Sequence, residues 1–122
     1  MYDCIIVENE PQSIAMMKDC ISSRTDLRLV GVAKELEQFR LLLTDVTPDI
    51  IFLDFVIPPG IARGFHYGML PKGSSIVVIS AIPLHLYADA HLLHSPYELP
   101  KPVSLNMFNQ CIQQIITARN ER

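Results

Sequence analysis

Short, uninterrupted apolar runs constrain the fold of this chain more than any other feature of its sequence. The clearest run is Ile50–Leu53, which leads directly into the carboxylate of Asp54 and then, four residues later, Pro58. An apolar run that does not alternate with polar residues is typical of a strand buried on both faces, as in parallel sheets. Asp54 would then lie at the carboxyl end of that strand, where open α/β sheets bind their ligands. The simpler alternative is an aspartate that only begins the next loop.

Strand and helix patterns alternate along the chain. Further apolar runs predict strands at 3–7, 27–33, 76–79 and, more weakly, 96–99. Periodicity predicts helices at about 11–23, 35–44, 64–70, 84–93 and 105–118, the last capped by Ser104. Such alternation forms a parallel sheet with helices on both faces. We therefore expect a doubly wound, flavodoxin-like (βα)5 fold of five parallel strands, in the order 2-1-3-4-5, with residues 1–122 as a single domain.

The predicted helices carry apolar stripes that would face the sheet. These stripes comprise Ile14, Met17 and Ile21 in the first helix, Leu36, Phe39, Leu42 and Leu43 in the second, and Leu105, Phe108, Ile112, Ile115 and Ile116 in the last. The predicted helix at 84–93 has more apolar residues than one buried stripe needs: Leu84, Leu86, Tyr87, Leu92 and Leu93. We interpret this excess as an interface, because exposed apolar patches usually have a use. A well-covered core helix is the alternative.

Composition and charge exclude several classes of function. Hydrophobic residues make up 49% of the chain and charged residues 19%, which favours a globular domain over a disordered segment. The net charge of −3 gives no overall basic footprint, so we expect no direct binding of nucleic acid. No apolar run approaches the roughly 18 residues of a membrane span, and the N-terminus lacks the pattern of a signal peptide. We therefore expect a cytoplasmic protein with no membrane contact.

The cysteines and histidines give no metal-binding pattern. Cys4, Cys20 and Cys111 lack CxxC spacing and lie in mostly apolar segments, so we predict buried thiols in a reducing compartment. His91 and His94 are spaced as neighbours on a helix, but no carboxylate or cysteine nearby completes a familiar ligand set. We expect these histidines to be solvated residues of a helix.

Polar residues stand where the predicted strands end. They are Glu8, Asn9 and Glu10 after the first strand, Asp54 after the third, Ser80 after the fourth and Lys101 after the fifth. In the predicted strand order these ends converge, and their oxygen ligands suit a hard cation such as Mg²⁺. The hydroxyl and the ammonium suit an anionic group on Asp54, so the pattern indicates aspartyl-phosphate chemistry. Each residue alone has a simpler explanation, as the start of a helix, the end of a strand or a surface lysine.

Over residues 3–118 the sequence resembles a response regulator receiver domain of two-component signalling. The resemblance rests on the final helix and on four stretches: Ile5–Pro11, Leu53–Asp54 with the later Pro58, Ser80–Ala81, and Lys101–Pro102. It implies that Asp54 is the phosphoacceptor, that Ser80 binds the phosphoryl group and couples it to a switch, and that Lys101 completes the catalytic set. It also implies a cis bond between Lys101 and Pro102.

The resemblance further implies a cofactor and partners. Mg²⁺ would be held by Glu8, the residue at position 9, Asp54 and the backbone carbonyl of Val56. The phosphoryl donor would be a sensor histidine kinase or a phosphotransfer protein. The face formed by the predicted helix at 84–93, the strand at 96–99 and the last helix would change on phosphorylation, and it is also a candidate homodimer interface. Such a domain is not an enzyme beyond catalysing its own phosphorylation and dephosphorylation.

Two positions depart from the family pattern. Asn9 stands where the second acidic residue is expected, and an amide brings no charge. At an effective dielectric constant near 20, a unit charge at about 4 Å is worth on the order of 4 kcal/mol before desolvation, so Mg²⁺ should bind more weakly. Glu98 stands where the aromatic switch residue is expected, beside Tyr97. Neighbouring strand residues face opposite sides, so Tyr97 replaces it only if a bulge intervenes.

These departures leave two main interpretations. In the first, the chain is a working receiver; in the second, it is a pseudo-receiver, an interaction module that Asn9 prevents from being phosphorylated. A third, a flavodoxin-like cofactor binder or enzyme, shares the fold class but lacks a phosphate-cradling loop after the first strand. The sequence also leaves open whether an output domain follows in a longer protein.

Overall fold

The computed structural model describes residues 1–54, 70–86 and 96–121, and the account below concerns these residues. The described strands are β1 (Tyr2–Val7), β2 (Leu27–Ala33), β3 (Ile50–Asp54), β4 (Ser75–Ser80) and β5 (Tyr97–Pro100). The described α-helices are α1 (Pro11–Ser22), α2 (Leu36–Asp45) and α3 (Leu105–Asn120), and Leu84–Leu86 forms a short 3-10 helix. The sequence predicted the bounds of these strands and α-helices to within about two residues.

The five strands form one sheet in the order β2-β1-β3-β4-β5, and all four neighbouring pairs are parallel. The predicted fold class and strand order are therefore confirmed. Every residue of the central strand β3 is buried, as its continuous apolar run predicted. The carboxyl ends of β1, β3 and β4 consequently lie side by side at one edge of the sheet.

Alternate residues of the central strands supply two hydrophobic cores. Ile6 and Phe52 belong to a core shared with α1 and α3, in which Phe52 stacks on Phe108 with ring centroids 5.6 Å apart. Ile5 and Ile51 belong to a second core on the side of α2. Because side chains alternate along a strand, the residues two places after Ile6 and Phe52 continue on the α1 and α3 side.

The last helix is placed as predicted, with one correction. The Ser104 hydroxyl accepts a hydrogen bond from the Met107 N–H at 3.1 Å and caps α3. Phe108, Ile112 and Ile115 are buried, but Leu105, assigned to the apolar face, is 49% exposed. Leu105 occupies the first residue of the helix, before the helix reaches the core, and Cys111 completes the buried face instead.

The cysteine prediction is confirmed. Cys4, Cys20 and Cys111 are free thiols, and all three are buried in the core between the sheet and helices α1 and α3. Burial raises the pKa of the Cys4 thiol to about 12 and that of Cys111 to about 11. Both thiols therefore stay protonated near neutral pH and behave as small apolar side chains.

Several predictions fall outside the described residues. They concern the loop at 55–63 with Val56, the helix at 64–70, most of the helix at 84–93 and the residues Tyr87, His91, Leu92, Leu93 and His94. No helix in the described part of the chain has the length and apolarity that crossing a membrane requires.

Gly31 allows α2 to pack closely on β2. A Cβ atom at Gly31 would lie 2.9 Å from Cδ2 of Leu42 and 3.0 Å from its Cδ1. We expect Gly31→Ala to lower the free energy of unfolding by about 1 kcal/mol, because the contact outweighs the entropic gain of replacing a glycine. In a Leu42→Ala background the same substitution should be neutral or stabilising. Urea unfolding of the four proteins tests this, and an equal cost in both backgrounds would refute the assigned contact.

Candidate functional site

Glu8, Asp54 and Lys101 form an acidic pocket at the carboxyl edge of the sheet. The Lys101 ammonium lies 3.0 Å from Oε1 of Glu8 and 3.3 Å from Oδ2 of Asp54. Glu8 is 2% exposed and Asp54 7% exposed, so two carboxylates are buried beside one cation. The strand register explains why Glu8 lies close to Asp54. Val7 of β1 pairs with Leu53 of β3, and the residue after each is a carboxylate on the same side of the sheet.

The electrostatics of the acidic pocket favour the charged forms of Glu8 and Lys101. Burial alone would raise the pKa of Glu8, but hydrogen bonding with Asp54 and Lys101 and the charge of Lys101 outweigh it, and the pKa is lowered. Burial alone would likewise lower the pKa of Lys101, but the Glu8 and Asp54 carboxylates raise it. Lys101 is therefore the cation that offsets the buried carboxylates in this structure.

The loop after β1 brings only one of its polar side chains into the pocket. Oε2 of Glu8 accepts hydrogen bonds from the N–H groups of Asn9 at 3.1 Å and Glu10 at 3.4 Å. Asn9 itself is exposed. Glu10 is exposed as well, and its Oε1 accepts a hydrogen bond from the Ser13 hydroxyl at 2.8 Å. Glu10 is thus held at the start of α1 and does not replace the missing acidic residue.

The donor set fits Mg²⁺ in part. Two buried carboxylates with one lysine leave a negative balance, and Mg²⁺ commonly takes one or two carboxylates and keeps several waters. Glu8 and Asp54 would supply those oxygens, although both carboxylates contact Lys101 in this structure. Among the residues that the structure describes, no cluster of three or more His, Cys, Asp or Glu side chains is placed to hold a metal ion. The described residues therefore offer two carboxylates to a cation and no third one.

Ser80 is buried at the neighbouring strand end, but its hydroxyl is engaged elsewhere. Ser80 Oγ donates a hydrogen bond of 2.6 Å to the carbonyl oxygen of Ile82. The backbone joins this strand end to the pocket, because the Lys101 N–H donates to the Ser80 carbonyl oxygen at 2.9 Å. The peptide bond between Lys101 and Pro102 is cis, as the family resemblance implied.

Glu98, a carboxylate, stands where the family resemblance implied an aromatic switch residue. β4 and β5 pair without a register shift from Val77–Tyr97 to Ser80–Pro100. Tyr97 packs against the core on the side of α1 and α3, whereas Glu98 is exposed. No bulge brings Tyr97 to the outer side, so it does not replace the expected aromatic residue.

A cavity beside Lys101 was not predicted. It has a volume of about 270 Å³ and lies between α1 and the segment that follows β5, with Ser13, Met16, Met17, Pro102 and Val103 among its lining residues. Met16 is 41% exposed there. Met17 belongs to the apolar stripe of α1 and Met16 next to it resembles an ordinary surface residue, so no sequence pattern indicated this cavity.

Comparison with solved structures places the chain in the receiver fold. It superposes on the response regulatory domain of mrkE from Klebsiella pneumoniae with a TM-score of 0.80 and 22% identity, covering 98% of this chain and 99% of that one. For the response regulator domain of CheB from Thermotoga maritima, the TM-score is 0.77 and the identity 20%, covering 98% and 97% of the two chains. No protein-family model matches the sequence.

A mutant of the anti-anti-sigma factor PhyR from Bartonella quintana superposes with a TM-score of 0.83 and 18% identity over 99% of this chain. The chain spans only 50% of that protein. The resemblance to response regulator receiver domains is therefore confirmed at the level of the fold. Receiver domains are in general signalling modules rather than enzymes in their own right.

The ionisation of Glu8 gives a pH prediction. Because its pKa in the folded chain is lowered from 4.5, its charge stabilises the fold above about pH 4.5, and this contribution is lost as the pH falls towards the folded pKa. In metal-free buffer, the difference in unfolding free energy between the native chain and Glu8→Gln should be constant from about pH 7 to 4.5 and shift against the native chain below that. Urea unfolding measures it, with Lys101→Met as the background that should reduce the effect. A difference independent of pH would contradict the assignment.

Proposed function

We propose that the chain is a phosphoacceptor receiver domain of a two-component response regulator, with Asp54 as the phosphorylated residue. The observation that carries the proposal is the acidic pocket, in which Lys101 contacts both Glu8 and Asp54 at the carboxyl edge of a receiver fold. The proposed donor is the phosphohistidine of a sensor histidine kinase or phosphotransfer protein, and the proposed location is the cytoplasm.

The chemistry follows from the groups in the pocket. A carboxylate oxygen of Asp54 attacks the phosphorus, the P–N bond of the phosphohistidine breaks, and the imidazole nitrogen leaves with the electron pair. The Lys101 ammonium is placed to offset charge on the phosphoryl oxygens. Ser80 would exchange its hydrogen bond to Ile82 for one to a phosphoryl oxygen. That exchange would draw the segment after β4 towards the pocket.

Mg²⁺ is proposed as the cofactor, held by Glu8 and Asp54. The family resemblance implies that Asn9 and the Val56 carbonyl would be further ligands. When bound, it would supply positive charge against the phosphoryl oxygens. The missing charge at position 9 weakens its binding, because the described pocket contains only two carboxylates. The Lys101 ammonium contacts both carboxylates and would also help to position Asp54.

The partner surfaces are proposed from exposed apolar residues near the pocket. The cavity beside Lys101, with Met16 at its rim, would receive the helix that carries the donor histidine. Ile82 and Leu86 are exposed after β4, where movement of Ser80 would be transmitted. That face, together with β5 and α3, is the proposed switching face and homodimer interface.

The second candidate is a pseudo-receiver that binds partners without being phosphorylated. Two observations favour it: Asn9 is exposed and uncharged, and Glu98 replaces the aromatic switch residue without a bulge to compensate. The presence of Glu8, Asp54 and Lys101, with Lys101 in contact with both carboxylates, favours the working receiver.

Intact-mass measurement after incubation with acetyl phosphate and Mg²⁺ separates the two candidates. We expect the native chain to gain one phosphoryl group, and we expect no gain in Asp54→Asn or in the native chain with a chelator. No gain in the folded native chain over a wide range of Mg²⁺ concentration would favour the pseudo-receiver. Repeating the test on Asn9→Asp would then show whether that residue is the cause.

A further inference from the structure

A groove runs along the free edge of the sheet and is separate from the acidic pocket. Its volume is about 680 Å³, and it lies between α1 and α2 with Val32 of β2 at its floor. Its apolar walls include Pro11 and Ile14 of α1 and Leu41 of α2, and Leu41 is 52% exposed. β2 is the first strand in the sheet order, so within the described residues no strand pairs with its outer side.

The backbone of β2 offers hydrogen-bonding groups to this groove. The Ala33 carbonyl oxygen accepts from the Glu8 N–H at 2.9 Å, so the polar backbone groups of Ala33 face β1. Successive residues of a strand direct these groups to alternate sides, and those of Val32 therefore face the groove. Lys34, the residue after the strand, also lines the groove. An exposed strand edge of this kind is a template for a further strand.

A hydrogen bond of Gln38 shows that a backbone N–H group at this edge is accessible to an acceptor oxygen. Its side-chain Oε1 accepts a hydrogen bond of 2.7 Å from the Lys34 N–H. The amide of Gln38, in the first turn of α2, thus already pairs with the Lys34 N–H, and an incoming strand would have to displace it to bond there. A side chain on a surface helix can be displaced at the cost of one exposed hydrogen bond.

The charges of the groove favour an acidic occupant. Lys18 and Lys34 both line it, and neither forms an ion pair with any residue in the described ranges. Asp45 is the acidic residue that lines the same groove, which leaves a net positive charge. A second copy of this chain would bring its own lysines to the same edge and is a poorer match.

We propose that the groove between α1 and α2 binds an extended acidic peptide segment, which pairs with Val32 of β2 and with Lys34 just after it as a sixth strand. Backbone hydrogen bonds provide the affinity in this mode, and the lysines select acidic side chains. The proposal does not depend on phosphorylation of Asp54. Pro11 lies in the groove and directly follows the Glu8–Glu10 loop, so the two sites are adjacent but separate.

The test uses fluorescence polarisation with a fluorescein-labelled peptide of alternating valine and glutamate at low salt. We expect saturable binding below about 1 mM, weakened about three- to tenfold by the double variant Lys18→Gln/Lys34→Gln. Gln38→Ala should strengthen binding about two- to fivefold, because the peptide no longer displaces the Gln38 amide. Lys72→Gln is the matched control, since it removes one exposed positive charge outside the groove and should leave binding unchanged.

Two further peptides distinguish strand pairing from charge attraction alone. A peptide of alternating valine and lysine should not bind, and N-methylation of alternate backbone amides in the acidic peptide should abolish binding. Binding that survives N-methylation, or that responds equally to Lys72→Gln, would overturn the proposal. So would the absence of binding by the acidic peptide, or self-association of the chain through this edge that the peptide does not reverse.

Discussion

Replacing Asn9 by aspartate is expected to tighten Mg²⁺ binding by about 10- to 100-fold. The added charge would follow Glu8 directly in the loop after β1. One unit charge at about 4 Å is worth on the order of 4 kcal/mol at an effective dielectric constant of 20, which is an upper bound for an exposed position. Desolvation and the exposure of position 9 reduce this to about 1.4–2.8 kcal/mol, which is one to two factors of ten. Isothermal titration calorimetry of the unphosphorylated protein measures it directly.

The control for this prediction is Asn120→Asp. It adds the same charge in the last turn of α3, outside the acidic pocket, and should leave Mg²⁺ affinity within about twofold of the native value. An equal gain in both variants would mean that overall charge, not the pocket, sets the affinity. Unchanged affinity in Asn9→Asp would contradict the placement of the ion beside Glu8 and Asp54.

Replacing Arg119 by alanine is expected to lower the free energy of unfolding by about 2–4 kcal/mol. Near the end of α3, its guanidinium donates to the carbonyl oxygens of Asp49 at 3.2 Å and Gly73 at 3.1 Å, and to Ser75 Oγ at 3.1 Å. It also pairs with the Asp49 carboxylate at 3.1 Å and lies over the Tyr2 ring. Removing it leaves several acceptors without their donor, and this cost exceeds that of one surface ion pair.

Arg40→Ala provides the matched comparison for Arg119→Ala. Arg40 also pairs with a carboxylate, that of Glu37, but both side chains are 58% exposed and lie one turn apart on α2. We expect its loss to cost no more than about 0.5 kcal/mol. Urea unfolding with unchanged m-values would measure both variants. Similar losses in the two would show that the contacts of Arg119 with the starts of β3 and β4 add nothing beyond an ion pair.

The meeting of Glu8 with Asp54 could be predicted because it depends on two simple regularities. The apolar runs identify β1 and β3 as central parallel strands, and the period of two along each strand places both carboxylates on the same side. The positions of Ile6 and Phe52 in one core and of Ile5 and Ile51 in the other follow the same alternation. The local pattern agrees with the overall fold here, so the sequence was enough to predict that these two carboxylates lie close together.

Contacts made by single rotatable side chains could not be predicted in the same way. The hydrogen bond from Ser80 to Ile82, that from Ser13 to Glu10, and the contacts of Arg119 depend on which of several nearby partners a side chain selects. No periodicity encodes that choice. The groove at β2 was also missed, because its lysines and leucines resemble the ordinary surface of two amphipathic helices.

Mapping the phosphorylated residue tests the central claim most directly. After incubation with acetyl phosphate and Mg²⁺, borohydride reduction converts an aspartyl phosphate into the corresponding alcohol, and tandem mass spectrometry of the digested chain locates it. We expect the reduced residue at position 54 in the native chain and no reduced residue in Asp54→Asn. A phosphoryl group on another residue, or none in the folded chain at any Mg²⁺ concentration, would contradict the assignment of Asp54 as the phosphoacceptor.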